Sequence, residues 1–356
     1  MTKATGIWRH ATLFEDDGAP ARLALAEGWT LGEGDTPLQP WPELASELGL
    51  DALLLKREDL NPGHSHKDRG LLYQVAAHRA TGPVRGFVLS SSGNAAVSAA
   101  AACARSGDRL VAFVAPDTAA SKYGKLLRSG AHVVVSDKPI NYARSAGRLF
   151  GLTDLRGSRD PLASVGYRSL AGELAEQDNL DHVLTFNSSG TSALGLLDGF
   201  AAAGRDVAVW SAQAGVCIGL ARELDPSLED ELDNPAGRLG IRNPPDAPEI
   251  VERLVASGGG ALAVTTDEVL AMAERMEARD LRTSAEGAAA LAAVARLATE
   301  GRISGTVAVV ITGHAEQWDR YGTDERNPDA DAGDPVHVDS YLALREALVG
   351  LGLEPA

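Results

Sequence analysis

Leu55-Lys56-Arg57-Glu58-Asp59-Leu60-Asn61-Pro62-Gly63-His64-Ser65-His66-Lys67-Asp68-Arg69-Gly70 is the stretch on which the reading of this chain turns. Asn61, Pro62 and Gly63 are turn formers, Ser65 is placed to cap a helix, and Leu71 through Ala77 reads as that helix. The segment therefore predicts a polar loop that delivers Lys67 where a helix begins. Unpaired N–H groups and the positive end of the helix dipole lower the pKa of an ammonium there and favour anions. An amine so placed is free base often enough to attack an aldehyde. A lysine taken at random is a solvated charge, so the weight falls on what surrounds this one.

Around it, apolar runs of strand length alternate with helical patterns. Leu53–Leu55, Gly86–Ser90, Leu110–Ala115 and Ala131–Val135 read as strands, with helices over Ala95–Ser106 and Ala119–Arg128. From Ala163 the alternation repeats: helix Leu170–Glu176, strand His182–Phe186, helix Ala193–Ala203 and strand Val207–Ser211. Strand Ala261–Thr265, a helix capped by Asp267 and running to Arg279, helix Ala285–Ala298 and strand Val307–Ile311 complete it. Continuous apolar strands between helices indicate parallel sheets covered on both faces, an α/β class with two doubly wound lobes. Pro226, Pro235, Pro244, Pro245 and Pro248 interrupt an acidic span that reads as a surface or substrate-side insertion, and Val338–Leu348 reads as a terminal helix.

Composition narrows the class of function. With 356 residues, 44% of them hydrophobic, the chain can bury a large core. The formal net charge of -16 argues against nucleic acid or an anionic membrane as partner. Two cysteines, Cys103 and Cys217, lie in apolar or small-residue surroundings and give no disulfide framework. There is no recognisable leader and no apolar run of the ~18 residues a membrane helix needs, so a soluble cytoplasmic protein is expected. His64 and His66 lack a third ligand, and no metal is expected.

Three further loops follow strands, at the edge where open parallel sheets place their ligand crevice. Ser90-Ser91-Ser92-Gly93-Asn94 reads as a capped helix start whose hydroxyls and N–H groups suit a carboxylate. Phe186-Asn187-Ser188-Ser189-Gly190-Thr191-Ser192 offers small residues and hydroxyls that suit a phosphate. Ile311-Thr312-Gly313-His314 closes a strand. Ser121, Lys122, Lys125 and Arg128 share a helix after Pro116, either as solvated charges or as receivers of a substrate phosphate or carboxylate.

The lysine string resembles the motif K-x-E-x-x-N-P-T-G-S-F-K-D-R-G of fold-type-II pyridoxal-phosphate enzymes, on the threonine synthase branch. Gly32-Glu33-Gly34-Asp35-Thr36-Pro37-Leu38 is similar to the G-E-G-x-T-P-L string ahead of it. The resemblance spans Leu31 to Asp319. It implies pyridoxal 5'-phosphate held by Lys67 as a Schiff base, with Asn94 bonded to the phenolic oxygen. It likewise implies a phosphate site on Asn187, Ser188, Ser189, Gly190, Thr191 and Ser192, and Thr312 facing the pyridine nitrogen. Substrate contacts are expected from Ser91, Ser92, Gly93, His64, His66, Lys125 and Arg128. The lobes it implies are 1–52 plus 152–322 (large, cofactor-binding) and 53–151 (small, mobile), with 323–356 an acidic linker and terminal helix.

The expected activity is conversion of O-phosphohomoserine to threonine and phosphate or a specialised relative of it, in a homodimer acting on a small amino acid. The alternatives are β-replacement of the cysteine synthase kind, serine or threonine ammonia elimination, and a non-catalytic ligand-binding paralogue. The sequence departs from the pattern at three places. His64 and His66 stand where the motif has Gly and Phe, Asn187 and Ser189 where the phosphate loop has glycines, and Ser284-Ala285-Glu286-Gly287 where it has Glu-Pro.

Overall fold

The computed structural model describes residues 5–14, 17–91, 93–116, 118, 120–237, 240–314 and 335–356, with only the backbone at 120–123. Eleven strands are present among them: β1 (Leu38–Pro40), β2 (Ala52–Lys56), β3 (Phe87–Ser90), β4 (Leu110–Val114), β5 (His132–Val135), β6 (Thr153–Asp154), β7 (His182–Phe186), β8 (Ala208–Ala214), β9 (Gly260–Val264), β10 (Thr306–Val310) and β11 (Val336–His337). They form a six-stranded sheet in the order β1-β2-β10-β7-β8-β9 and a five-stranded sheet in the order β11-β5-β4-β3-β6. All pairings are parallel except β1 with β2. The α/β class with two mostly parallel sheets is as the sequence implies.

The helices are α1 (Ala19–Glu27), α2 (Pro42–Leu48), α3 (Lys67–Ala80), α4 (Asn94–Ser106), α5 (Ala120–Arg128), α6 (Pro139–Phe150), α7 (Arg168–Leu174), α8 (Thr191–Ala202), α9 (Gly219–Leu224), α10 (Ala247–Ala256), α11 (Thr266–Glu277), α12 (Ala285–Thr299) and α13 (Tyr341–Gly350). The alanine-rich α12 is buried along nearly its whole length against one face of the six-stranded sheet, because methyl side chains let its backbone approach the strands. α7, α8 and α10 cover the other face. α3, α4 and α5 cover one face of the five-stranded sheet, α6 and α13 the other.

Several boundaries differ from the sequence reading. β2 pairs with β10, Leu53 against Val307 and Leu55 against Val309, so the strand that feeds the lysine loop belongs to the six-stranded sheet and not to a small lobe starting at residue 53. Conversely β6 pairs with β3, and β11 with β5, adding residues from the expected large lobe and tail to the five-stranded sheet. The 3-10 helix Gly6–Phe14 and α1 share a core with α3 rather than with the large sheet. α11 is capped by Thr265 in a reciprocal box with Glu268, not by Asp267, because Thr265 holds the extended backbone a cap needs. Residues 315–334, within which the large lobe was expected to end and the linker to begin, lie outside the described residues.

Candidate active site

The loop before α3 is folded by its own side chains. The His64 N–H donates to the Asn61 carbonyl (2.7 Å) and the Gly63 N–H to Asp68 Oδ2 (2.6 Å), while Ser98 Oγ donates to Asp68 Oδ1 (2.6 Å). His66, not Ser65, is the residue flanking the helix start, but the Lys67 N–H still donates to Ser65 Oγ (3.2 Å). Ser65 Oγ in turn donates to the Thr312 carbonyl (3.0 Å), and Ser65 bridges Gly313. The start of α3 is thereby tied to the end of β10. His64 sits at φ +58, a left-handed conformation that a glycine would adopt without strain, and its ring lies 5.3 Å from that of His314.

Beneath the loop lies a buried network of four charges. Arg69 donates to Glu58 through Nε (2.7 Å) and Nη2 (2.8 Å) and to Glu173 through Nη1 (2.7 Å) and Nη2 (2.9 Å). Lys56 Nζ donates to Glu173 Oε2 (2.5 Å) and to the Thr36 carbonyl (2.6 Å). Arg69 and Lys56 hold the Glu173 carboxyl below its usual range, and the two carboxylates raise Arg69 further. Lys56, Glu58, Asn61 and Arg69 are letters of the quoted motif; here they build the floor on which the loop rests, with Asn61 Nδ2 donating to Glu58 Oε2 (2.8 Å).

Lys67 is treated differently. Its side chain lines a cavity of about 480 Å³ between the two sheets, and Nζ lies 5.6 Å from the centroid of the Tyr167 ring. The surrounding protein strips the ammonium of water and lowers its pKa to about 8. Tyr167 fits there because three positions lack a side chain. A Cβ on Gly70 would come within 2.8 Å of the Tyr167 ring, one on Gly195 within 2.5 Å of Tyr167 Cβ, and one on Gly166 within 2.3 Å of the Arg69 carbonyl. His66 lines the same cavity. Its Nδ1 is 3.0 Å from the Thr312 carbonyl, an acceptor only, so Nδ1 carries the proton and the buried, unpartnered Nε2 offers a lone pair. Burial, reinforced by Lys67, pushes its pKa well below the usual value, so the ring is neutral.

Across the cavity, the loop 187–192 leads into α8. The Asn187 side chain, expected among the phosphate donors, is spent on the loop itself: Oδ1 accepts from Ser192 Oγ (2.7 Å) and the Ala193 N–H (3.3 Å), and Nδ2 donates to the Thr185 carbonyl (3.1 Å). This leaves the backbone N–H groups of residues 188–192 without an acceptor among the described residues. Such a row at a helix start suits an anion. Ser189 and Thr191 share a hydroxyl contact of 2.8 Å beside it.

Ser91, Gly93 and Asn94 at the start of α4, Ser188, Ser189, Thr191 and Ser192 at α8, and Thr312 after β10 all line this cavity together with Lys67. His64, Lys125 and Arg128 are not among its lining residues, and neither is Gly190, whose φ of +80 makes the turn into α8 against Ile250. Ser92 lies outside the described residues. The sequence reading missed Tyr167, Arg156 to Ser158, and Gly237, Gly240 and Ile241 from the proline-interrupted span. Only that span carried a signal, its position as an insertion.

Comparison with known proteins agrees with this geometry. The family described as pyridoxal-phosphate dependent enzyme matches residues 29–313. Threonine synthase from Methanosarcina acetivorans is 26% identical over 98% of this chain and 88% of its own length. Threonine synthase from Methanocaldococcus jannaschii is 29% identical over 87% and 80%. Among solved structures, maize serine racemase superposes with a TM-score of 0.70 at 19% identity, covering 88% of this chain and 94% of the other, a likeness of fold.

Proposed function

The chain belongs to the pyridoxal-phosphate-dependent enzyme family and uses that cofactor, and we propose that it is a threonine synthase-like lyase or replacement enzyme. Its substrate in this reading is O-phosphohomoserine or a chemically related amino acid. One observation carries it: an amine with its pKa lowered to about 8 lines the same cavity as a row of unpartnered N–H groups at the start of α8.

The residues fit the cofactor. Lys67 would hold its aldehyde carbon through the side-chain amine, and the N–H groups of residues 188–192, with the Ser189 and Thr191 hydroxyls, would hold its phosphate. When bound, the cofactor provides an electron sink for bonds broken at the substrate Cα. The free amine of Lys67 would be the base that takes and returns the proton at that carbon. Its desolvated ammonium gives the proton up near neutral pH, where a solvated lysine would not. Asn94 and Thr312, which line the same cavity, would orient the ring through their polar ends. Ser91, Gly93 and the start of α4 receive the substrate carboxylate. The small-residue walls at Gly237 and Gly240 leave room for the substrate's substituent.

Borohydride reduction of the holoenzyme followed by peptide mapping tests the premise: the pyridoxyl label is expected on Lys67, and a label elsewhere removes it. Phosphate release from O-phosphohomoserine, measured beside ammonia and 2-oxo acid release from serine and threonine, then separates the threonine synthase course from elimination. A holoenzyme whose cofactor spectrum no amino acid perturbs would be a binding paralogue. The same reading includes a homodimer, which sedimentation would check.

A further inference from the structure

The first turns of α12 are closed off by protein except at one side chain. From Ser284 to Val294 only Glu286 is not buried, and it is the one carboxylate among the described residues that line the cavity. Among the described residues its side chain accepts no hydrogen bond and meets no cation within ion-pair distance. A half-desolvated carboxylate with nothing to accept from costs free energy unless a ligand presents a proton to it.

The start of α12 fixes where Glu286 stands. The Ser284 N–H donates to the Gly313 carbonyl (2.8 Å), Thr283 bridges His314, and a Cβ on Gly287 would come within 3.5 Å of Ile311 Cγ2. The segment that bears Glu286 therefore runs along the one that bears Thr312. On the other side its charge is felt by Cys217, whose thiol is pushed up to about 12 by burial first and by Glu286 behind it. Cys217 Sγ lies 1.9 Å from where a Cβ on Gly240 would fall, and Ser188 Cβ lies 2.5 Å from the same point. Glu286 is thus flanked by Thr312 and by the anion-suited loop of residues 188–192.

The cofactor ring carries its groups in a fixed order. Next to the carbon that bears the aldehyde is the one that bears the phosphate arm, and the ring nitrogen lies two atoms further round. With the aldehyde at Lys67 and the phosphate at residues 188–192, the wall reached next is the one shared by Glu286 and Thr312. We infer that Glu286, beside Thr312, holds a proton on the pyridine nitrogen of the cofactor. This rests on the proposed seating of the cofactor and deepens it. The donors and acceptors agree: a carboxylate and a bare pyridine nitrogen only accept, and the single O–H of Thr312 serves one of them. A proton on the nitrogen supplies the missing donor, and the opposite charge beside it favours that state. The other ionisable groups on the cavity wall, Lys67, Arg156 and the neutral His66, include no second carboxylate. A protonated ring draws more charge from the substrate Cα, so Glu286 sets the strength of the electron sink.

Holoenzyme reconstituted with cofactor carrying 15N in the ring, followed by NMR across pH, tests this. The wild-type nitrogen signal is expected at the protonated end of the range set by the free cofactor at low and high pH. Glu286→Gln, of the same size, should lower the ring-nitrogen pKa by about 1–3 units and move the signal toward the unprotonated end. Glu286→Asp should restore part of the shift. A wild-type signal at the unprotonated end overturns the inference. So does an unchanged signal in Glu286→Gln, which would leave the carboxylate only to steady the start of α12. Borohydride labelling of the same preparations separates the two readings: a label absent from Lys67 overturns the seating and the inference together, whereas a labelled Lys67 with an unchanged nitrogen signal overturns the role of Glu286 alone.

Discussion

Lys67 and Arg69 stand two residues apart in the first turn of α3, Arg69 fully buried and Lys67 half-buried on the cavity wall, and the fold gives them opposite partners. Arg69 meets Glu58 and Glu173 in four hydrogen bonds and is held charged. Lys67 faces a cavity and the ring of Tyr167, with no carboxylate in contact among the described residues, and its proton is loosened. A buried cation that is paired fixes structure; one that is left unpaired becomes a reagent. Helical geometry makes the contrast available, since residues two apart point to opposite sides of the helix.

Removing either partner should break the comparison most visibly. Lys67→Ala is expected to lower turnover on whichever amino acid the screen identifies by at least about 10³-fold, because base and cofactor anchor go together; steady-state assay checks this. Arg69→Met leaves Glu58 buried without a cation and Glu173 with Lys56 alone, and should cost about 3–5 kcal/mol, read as a lower urea midpoint. If that variant is as stable as the wild type, the network is not the floor of the loop.

A smaller effect sharpens the difference. In the apoprotein Lys67 holds its proton only up to a pH of about 8, against about 10.5 for an ordinary lysine in the unfolded chain. Between those values the unfolded chain binds more protons, so stability rises with pH there; below about pH 8 the penalty is present in full. Lys67→Met should therefore exceed the wild-type apoprotein in stability by about 2 kcal/mol near pH 7, with the excess fading by about pH 11. Urea denaturation at both pH values measures it. Least of all, Tyr167→Leu removes a favourable ring face from the ammonium and should lower the Lys67 pKa by about half a unit, followed by NMR titration of 15N-labelled lysine side chains.

Local pattern told much of this in advance. The apolar runs that became β4, β7 and β10 carry their burial in consecutive residues, and the lysine loop advertises its turn through Asn61, Pro62 and Gly63. What stayed hidden depends on partners far along the chain. β6 and β11 are two residues each and have no periodicity to read. The sheet to which β2 belongs is set by a strand some 250 positions later. No element was expected where α6 begins with Pro139, although proline suits the first turn of a helix. Tyr167 is one of six tyrosines with nothing local to single it out, and the glycines at 70, 166 and 195, on three separate segments, make the room that brings it to Lys67.

The tie between Ser65 and the Thr312–Gly313 strand end has a further consequence. It registers the amine with the six-stranded sheet, while the neighbouring Asp68 is held by Ser98 of α4, which packs on the five-stranded one. The first turn of α3 is thereby riveted to both halves of the molecule. The amine keeps its place against Thr312 and against α4 together, and loosening either rivet would shift it away from one wall and not the other.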